Sequence, residues 1–362
     1  MRMALRIVPI LVAGVGLAMI PACGKSGPQK TKVAIVTNCT AEFWSIAEAG
    51  ANKAAQEEDV EVIFRQPEKM DVAVQMEIVE AVQRQGISGL AVSVINPAEQ
   101  TPDLRRIAKS TNFVALDNDA PDTGRLCYIG IDNYEAGKAV GRLVKKAMPQ
   151  GGTLAMFIGS VDSANAKARS GGVKDELAGQ KDAKGPMFGN FELHNNEIKT
   201  DQGKEETAQD NANDVLGALN KKNKNVSMVG LYAYNPKANI LAYRAMKEKQ
   251  FADIKFVGFD EDSVTLDAIA KGDIVGTVVQ DPFEYGYQAV KVLAAAARGD
   301  MSEAEKVKKN PIAYRVITKD GKDGKYNDTH IHKLDGKDVP VPNLKAADFS
   351  QLLKDQLNSA KK

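Results

Sequence analysis

Cysteine, histidine and tryptophan are all scarce in this chain. Its 362 residues hold three cysteines (Cys23, Cys39, Cys127), three histidines and one tryptophan, Trp44. Two thiols beyond the leader make no disulfide framework; outside the cytoplasm they could pair, and spacing alone leaves that open. The histidines, His194, His330 and His332, form no helical metal pair of the HExxH kind. His330 and His332 beside Asp328 could hold a metal; an extended surface stretch is the plainer reading. An excess of one charge is also missing. Without Arg2 and Arg6 the chain carries 46 basic and 47 acidic residues, with no basic patch. Nucleic acid is therefore not an expected partner. There is no GxSxG elbow, no P-loop and no GxGxxG after the first strand. Lys319–Asp328 has Asp and Gly but misses calcium-loop spacing, and reads as a turn or hairpin. No catalytic residue, cofactor or metal is expected. No transmembrane span follows the leader, and repeat periods are absent.

The leader itself is informative. Arg2 and Arg6 precede the uncharged apolar run Ile7–Ile20, too short to span a bilayer comfortably. Ile20-Pro21-Ala22-Cys23-Gly24 then looks like a bacterial lipobox. That implies a signal peptide over 1–22, lipidation at Cys23 and a polar tether over 23–31. An ordinary secretory signal with a chance cysteine is the other reading. The implied location is the periplasm or cell envelope, held to the membrane by lipid alone.

The stretch Val33–Glu58 sets the pattern for the rest. Val33–Val36 is a short apolar run, as in a strand buried on both faces. Phe43, Ile46, Ala47, Ala51 and Ala54 then recur at helical spacing. Strand–loop–helix units follow. Strands are expected at Val60–Phe64, Gly89–Val94, Phe113–Leu116, Cys127–Ile131, Gly152–Ile158, Val226–Leu231, Ile254–Val257, Ile274–Val279 and Ala313–Ile317. Helices are expected at Asp71–Arg84, Thr101–Ala108, Ala136–Met148, Thr207–Leu219, Asn239–Glu248, Val264–Lys271, Tyr285–Arg298 and Lys345–Lys362. Residues 178–206, rich in Lys, Asp, Gly and Asn, resist assignment. Alternation of this kind argues for parallel sheets covered by helices.

Ligands of open α/β sheets sit beyond the carboxyl ends of the strands. Asn96, Asp117, Asn118, Asp119, Asn235, Asp260 and Gln280 all fall there. Each alone also reads as a turn or helix cap. Phe43 and Trp44 either offer flat faces to a ligand or pack under their helix, and the two readings stand level. With Arg169 added, the set has the amides, carboxylates, guanidinium and aromatic faces that a neutral polyhydroxylated ligand needs.

The ordered segments VAIVT…FW, VINP, ALDND, IGIDNYEAG, AKARSGG, YAYN, VGFDED and GTVVQDP resemble the periplasmic sugar-binding proteins of the ribose-binding type. The resemblance spans about Lys32 to Ile317. It implies an α/β fold of two doubly wound parallel-sheet lobes joined by a three-segment hinge, type I periplasmic binding protein-like. The implied lobes are 32–132 with 281–312 and 133–280 with 313–345, followed by a C-terminal tail helix over 346–362. It also implies closure on a ligand by hinge bending. By motif, the pocket would comprise Thr37, Phe43, Trp44, Asn96, Asp117, Asn118, Asp119, Arg169, Asn235, Phe259, Asp260 and Gln280. Asn118 stands where ribose binders carry Arg, so the sugar stays open among pentoses and hexoses.

The implied function is that of a monomeric solute-binding lipoprotein, delivering a monosaccharide to the permease of an ABC importer. The alternative is a sensor of a sugar or sugar-like signal, acting with a chemoreceptor or histidine kinase.

Overall fold

The computed structural model describes residues 30–219, 226–230, 238–244, 254–327 and 329–359. Among these, no helix is long and apolar enough to cross a membrane. Cys23, Asn235 and Asp328 lie outside the described residues.

Two sheets carry the fold. The first runs β2-β1-β3-β4-β5, built from β1 (Lys32–Val36), β2 (Glu61–Arg65), β3 (Gly89–Val92), β4 (Asn112–Leu116) and β5 (Tyr128–Ile129). Every pairing in it is parallel. The second contains β6 (Gly152–Ile158), β7 (Met187–Phe188), β8 (Phe191–Thr200), β9 (Val226–Gly230), β10 (Lys255–Phe259), β11 (Gly276–Val279), β12 (Arg315–Thr318) and β15 (Leu344–Lys345). Its order is β15-β12-β11-β10-β9-β6-β8-β7. This sheet is mixed, because β12 runs antiparallel to β11 and β7 to β8.

The central strands are largely apolar because both their faces are covered. In the first sheet Val33, Ile35, Ala91 and Val114 face the helices Glu42–Glu57 and Pro282–Ala297. Ala34, Val36, Leu90 and Phe113 face the helices Val72–Gln83 and Pro97–Ala108. The second sheet repeats the scheme. Leu154, Met156, Val229 and Val257 pack on the helices Asn133–Ala147 and Ala164–Ala178. Phe157, Met228 and Phe256 pack on the helices Glu205–Leu219 and Ser263–Lys271. The lobes are thus two parallel-sheet α/β layers. Helices Glu42–Glu57 and Pro282–Ala297 cross at Gly50 and Gly286. A Cβ on Gly50 would lie 1.9 Å from the carbonyl oxygen of Phe283, and one on Gly286 1.8 Å from that of Ala47.

The chain passes between the sheets three times, at residues 130–132, 280–281 and 310–314. These passages are bonded side by side. The Ile312 amide donates to the Gly130 carbonyl at 3.0 Å. The Ile131 amide donates to the Tyr285 hydroxyl at 3.1 Å. Asp281 caps the helix Pro282–Ala297, pairs with Arg315 at 3.0 Å and accepts from Gln356 at 3.2 Å. Gln356 belongs to the last helix, Ala346–Ser359, which packs on helices of both lobes, Glu42–Glu57 and Ser263–Lys271.

Several expectations need correction. Residues 178–206 contain β7 and the ten-residue β8, a polar strand whose outer residues mask its period. The short helix Ser302–Lys309 buries only Ala304 and Val307, too little apolar signal to read. The helix expected at Thr101 starts at Pro97. The turn expected after Lys319 is present as the single 3-10 turn Gly321–Asp323, and a separate hairpin beyond it pairs β13 (Thr329–Leu334) with β14 (Lys337–Pro342). His330 is no surface residue; its ring is buried and stacks on Tyr314 at 4.0 Å. Neither Cys39 nor Cys127 is in a disulfide, and burial pushes the Cys127 thiol up to about 11.

Candidate functional site

The carboxyl ends of both sheets face one small cavity. It is lined by Asn38, Cys39, Ala41, Phe43, Trp44, Asp117, Asn165, Arg169, Asp260 and Gln280. The first five come from the loop and helix after β1. Asp117 follows β4. Asn165 and Arg169 lie one turn apart on the helix after β6. Asp260 follows β10 and Gln280 follows β11.

The two carboxylates are presented in the same way. Asp117 has φ 59° and Asp260 φ 65°, each at the first residue past its strand. This left-handed conformation turns the chain sharply and costs about 1–3 kcal/mol for a non-glycine residue. Each keeps its amide in the sheet, Asp117 bonding Ile129 at 2.9 Å and Asp260 bonding Val278 at 2.7 Å. Burial raises the Asp117 carboxyl above its ordinary range, against the lowering pull of Arg169.

Two polar threads connect these acids to the chain passages. In the first, the Tyr128 hydroxyl donates to the Asp117 carbonyl at 2.7 Å and accepts from Asn133 Nδ2 at 3.1 Å. Asn133 Oδ1 accepts from Arg169 Nε at 2.8 Å. The Arg169 guanidinium lies over Phe259, its Cζ 3.9 Å from the ring centre. In the second, the Tyr285 hydroxyl donates to Gln280 Oε1 at 2.6 Å, and Gln280 Nε2 donates to Asp260 Oδ1 at 2.7 Å. Both threads run from one lobe into the other.

Phe43 and Trp44 form an edge-to-face pair with centres 4.8 Å apart. The Trp44 indole donates to Asn38 Oδ1 at 3.0 Å. Trp44 is the only tryptophan and is 2 % exposed. Its emission should therefore respond when a ligand enters the cavity, with a half-saturation point equal to the Kd found by calorimetry. Silent emission during demonstrated binding would place the ligand elsewhere.

Other residues singled out in the sequence are not brought to the cavity. Asn96 caps the helix Pro97–Ala108, accepting from Ala98 at 3.1 Å. Asp119 pairs with Arg125, whose Nη2 lies 2.7 Å from Oδ2. Thr37 is fully buried and donates to the Cys39 carbonyl at 2.8 Å. Asn118 is spent on a bridge between lobes: its Oδ1 accepts from the Asn165 amide at 3.1 Å, and its Nδ2 bonds Val94. Asn165 was missed. Asn165 precedes Arg169 by four residues, so helical spacing puts both on one face, which is a signal the sequence carried.

The cavity measures about 30 Å³, far below the ~300 Å³ at the low end of ligand pockets. Admitting a sugar ring requires the lobes or side chains to shift. Larger cavities lie elsewhere. One of about 380 Å³ sits at the opposite strand ends, lined by Lys255, Asp273 and Lys319. One of about 420 Å³ sits beside Asp281, Glu284 and Arg315. Converging donors and acceptors at strand ends, rather than size, favour the small cavity as the site.

Two α/β lobes, connected three times and enclosing a cavity lined by acids, amides, a guanidinium and an aromatic pair, define a two-lobed ligand-binding protein. The chain belongs to the periplasmic binding protein domain family, whose model matches residues 33–301. It is 23 % identical over 243 residues to the ribose import binding protein of Salmonella typhimurium, covering 66 % of this chain and 75 % of that one. Among solved structures it is similar to an ABC transporter solute-binding protein from Burkholderia graminis in complex with D-arabinose. There the TM-score is 0.70 and the identity 23 %, over 81 % of this chain and 96 % of that one. It is also similar to a chain of the XylFII-LytSN complex, with TM-score 0.68 and identity 22 %, over 81 % of this chain and 99 % of that one.

Proposed function

We propose that this chain is an extracytoplasmic solute-binding lipoprotein that closes on a monosaccharide and delivers it to an ABC permease. One observation carries the reading. Asp117 from one lobe and Asp260 with Arg169 from the other line the same cavity, beside Phe43 and Trp44. Paired sugar hydroxyls bind carboxylates and a guanidinium fork in this way, and aromatic rings cover the C–H faces. Asn38, Asn165 and Gln280 add neutral amides, and by motif resemblance Asn235 would add another. The moving units are 32–132 with 281–312 and 133–280 with 313–345, hinged at the three passages. Lipid at Cys23 would hold a monomer at the envelope membrane. The names of the ribose import relative and the D-arabinose complex support the sugar class.

Thermal shift against pentoses, hexoses, polyols and nucleosides tests this. A ligand at a hundred times its Kd adds about 2.7 kcal/mol to a folded state that alone binds it. A pentose or hexose should raise Tm; a response only to nucleosides would keep the fold and remove the sugar assignment. A sensing role is the second reading, favoured by the likeness to a chain of the XylFII-LytSN complex. Co-purification with a sensor kinase rather than with permease subunits would select it.

A further inference from the structure

Glu261 is a buried acid that the site just described does not use. It follows Asp260 but does not line the cavity. The residue is 4 % exposed, and among the described residues neither carboxylate oxygen has a hydrogen-bond partner. An unpaired carboxylate is costly to bury while charged.

The groups facing Glu261 make the cost greater. Asp260 and Asp262 flank it on its own loop. Glu42 faces it from the first turn of the helix Glu42–Glu57, in the other lobe. Asp281 faces it from the second passage between lobes. All four are acidic. Arg315, the nearby cation, is committed to Asp281 at 3.0 Å, and Gln356 of the last helix adds only a neutral donor to the same carboxylate. Burial first, then these neighbours, push the Glu261 carboxyl well above the ordinary range. Among the described residues, no three acidic, His or Cys side chains gather closely enough to hold a metal ion. Protonation would neutralise it where it stands.

We propose that closing the lobes takes up one proton from solvent at Glu261, so that ligand binding tightens as pH falls. The proposal rests on the closure described under the proposed function. When the lobes part, the first turn of the helix Glu42–Glu57 leaves the seam and water reaches Glu261. The carboxyl then returns toward its ordinary value of about 4.3 and releases the proton. The sign follows from linkage. The closed form binds the extra proton, so closure is fully favoured below the open-form value. The advantage is lost as pH rises through the closed-form value. Between the two, Kd weakens by up to about tenfold per pH unit for one proton.

The experiment uses the full chain and two readouts. D-arabinose and D-ribose binding is measured by calorimetry from pH 5 to 9, in buffers of different ionisation enthalpy that count protons. Small-angle scattering without sugar follows lobe closure over the same range. The wild type should take up protons on binding and contract as pH falls. Glu261→Gln should lose that proton, bind more tightly than wild type at pH 9, and stay compact throughout. Glu261→Ala, which adds no buried amide, should also remove the pH response. Identical pH profiles in wild type and both variants would overturn the proposal, whatever Asp117 contributes to each. If neither pentose binds, those two ligands alone are excluded, and the scattering still decides on Glu261.

Discussion

Asp260→Ala should weaken sugar binding by about 100-fold or more while leaving the protein folded. The Asp260 carboxylate lines the cavity and accepts from Gln280 at 2.7 Å. A hydrogen bond to a charged group contributes about 1.5–3 kcal/mol, and a carboxylate that holds two hydroxyls supplies two of them. Its removal also frees Gln280 to turn away, loosening the thread that ends at Tyr285. The residue sits at φ 65°, where alanine is less at ease than aspartate. Asp260→Asn is therefore the better control for backbone strain, since asparagine tolerates that conformation and keeps the shape. Both variants should lose binding, with Tm within a few degrees of wild type. Calorimetry that gave Asp260→Ala the wild-type Kd would move the ligand out of this cavity altogether.

Gly50→Ala should be among the most damaging single-methyl changes to the fold. Its Cβ would fall 1.9 Å from the Phe283 carbonyl oxygen, so the helices Glu42–Glu57 and Pro282–Ala297 would have to separate. Overpacking of this kind costs about 1–3 kcal/mol, and occasionally more. Better helix propensity returns only about 1 kcal/mol. Gly217→Ala is the opposite case. Gly217 is an exposed helical glycine with nothing within 4 Å of its Cβ position, so the same substitution should stabilise. Urea denaturation of the pair should show midpoints moving in opposite directions. A neutral Gly50→Ala would mean that the two helices are free to slide.

The strands were legible because burial on both faces leaves short, unbroken apolar runs such as Val33–Val36 and Gly89–Val92. The parallel lobes followed from their alternation with amphipathic helices. β8 was not legible, because a polar strand such as Phe191–Thr200 carries no clean period. Of the residues lining the cavity, Asp117 and Asp260 stand at strand ends and Arg169 on the helix after β6, each inside a recognisable segment. Asn96 and Asn118 stand at strand ends too, yet one caps a helix and the other bridges the lobes. Residue type and position do not tell a capping amide from a ligand-facing one, since both offer the same atoms. The turn that aims Asp117 and Asp260 was hidden for a related reason. A positive φ at aspartate is a local cost set by tertiary packing, with no signature in spacing.

The last helix leans on both halves of the molecule, against Glu42–Glu57 on one side and Ser263–Lys271 on the other. A brace of this kind acts like a spring in parallel with the hinge. Every contact it would lose on opening adds to the weight of the closed shape when no sugar is bound. Apparent affinity is reduced by the fraction of molecules in the wrong shape, so the brace tightens binding without touching the ligand. The same bias narrows the difference in shape between loaded and unloaded molecules. A receiving partner that reads only shape would then be visited more often by empty carriers. Under the proposed function, retention of a solute and fidelity of its delivery would be set against each other at a helix outside the matched residues 33–301.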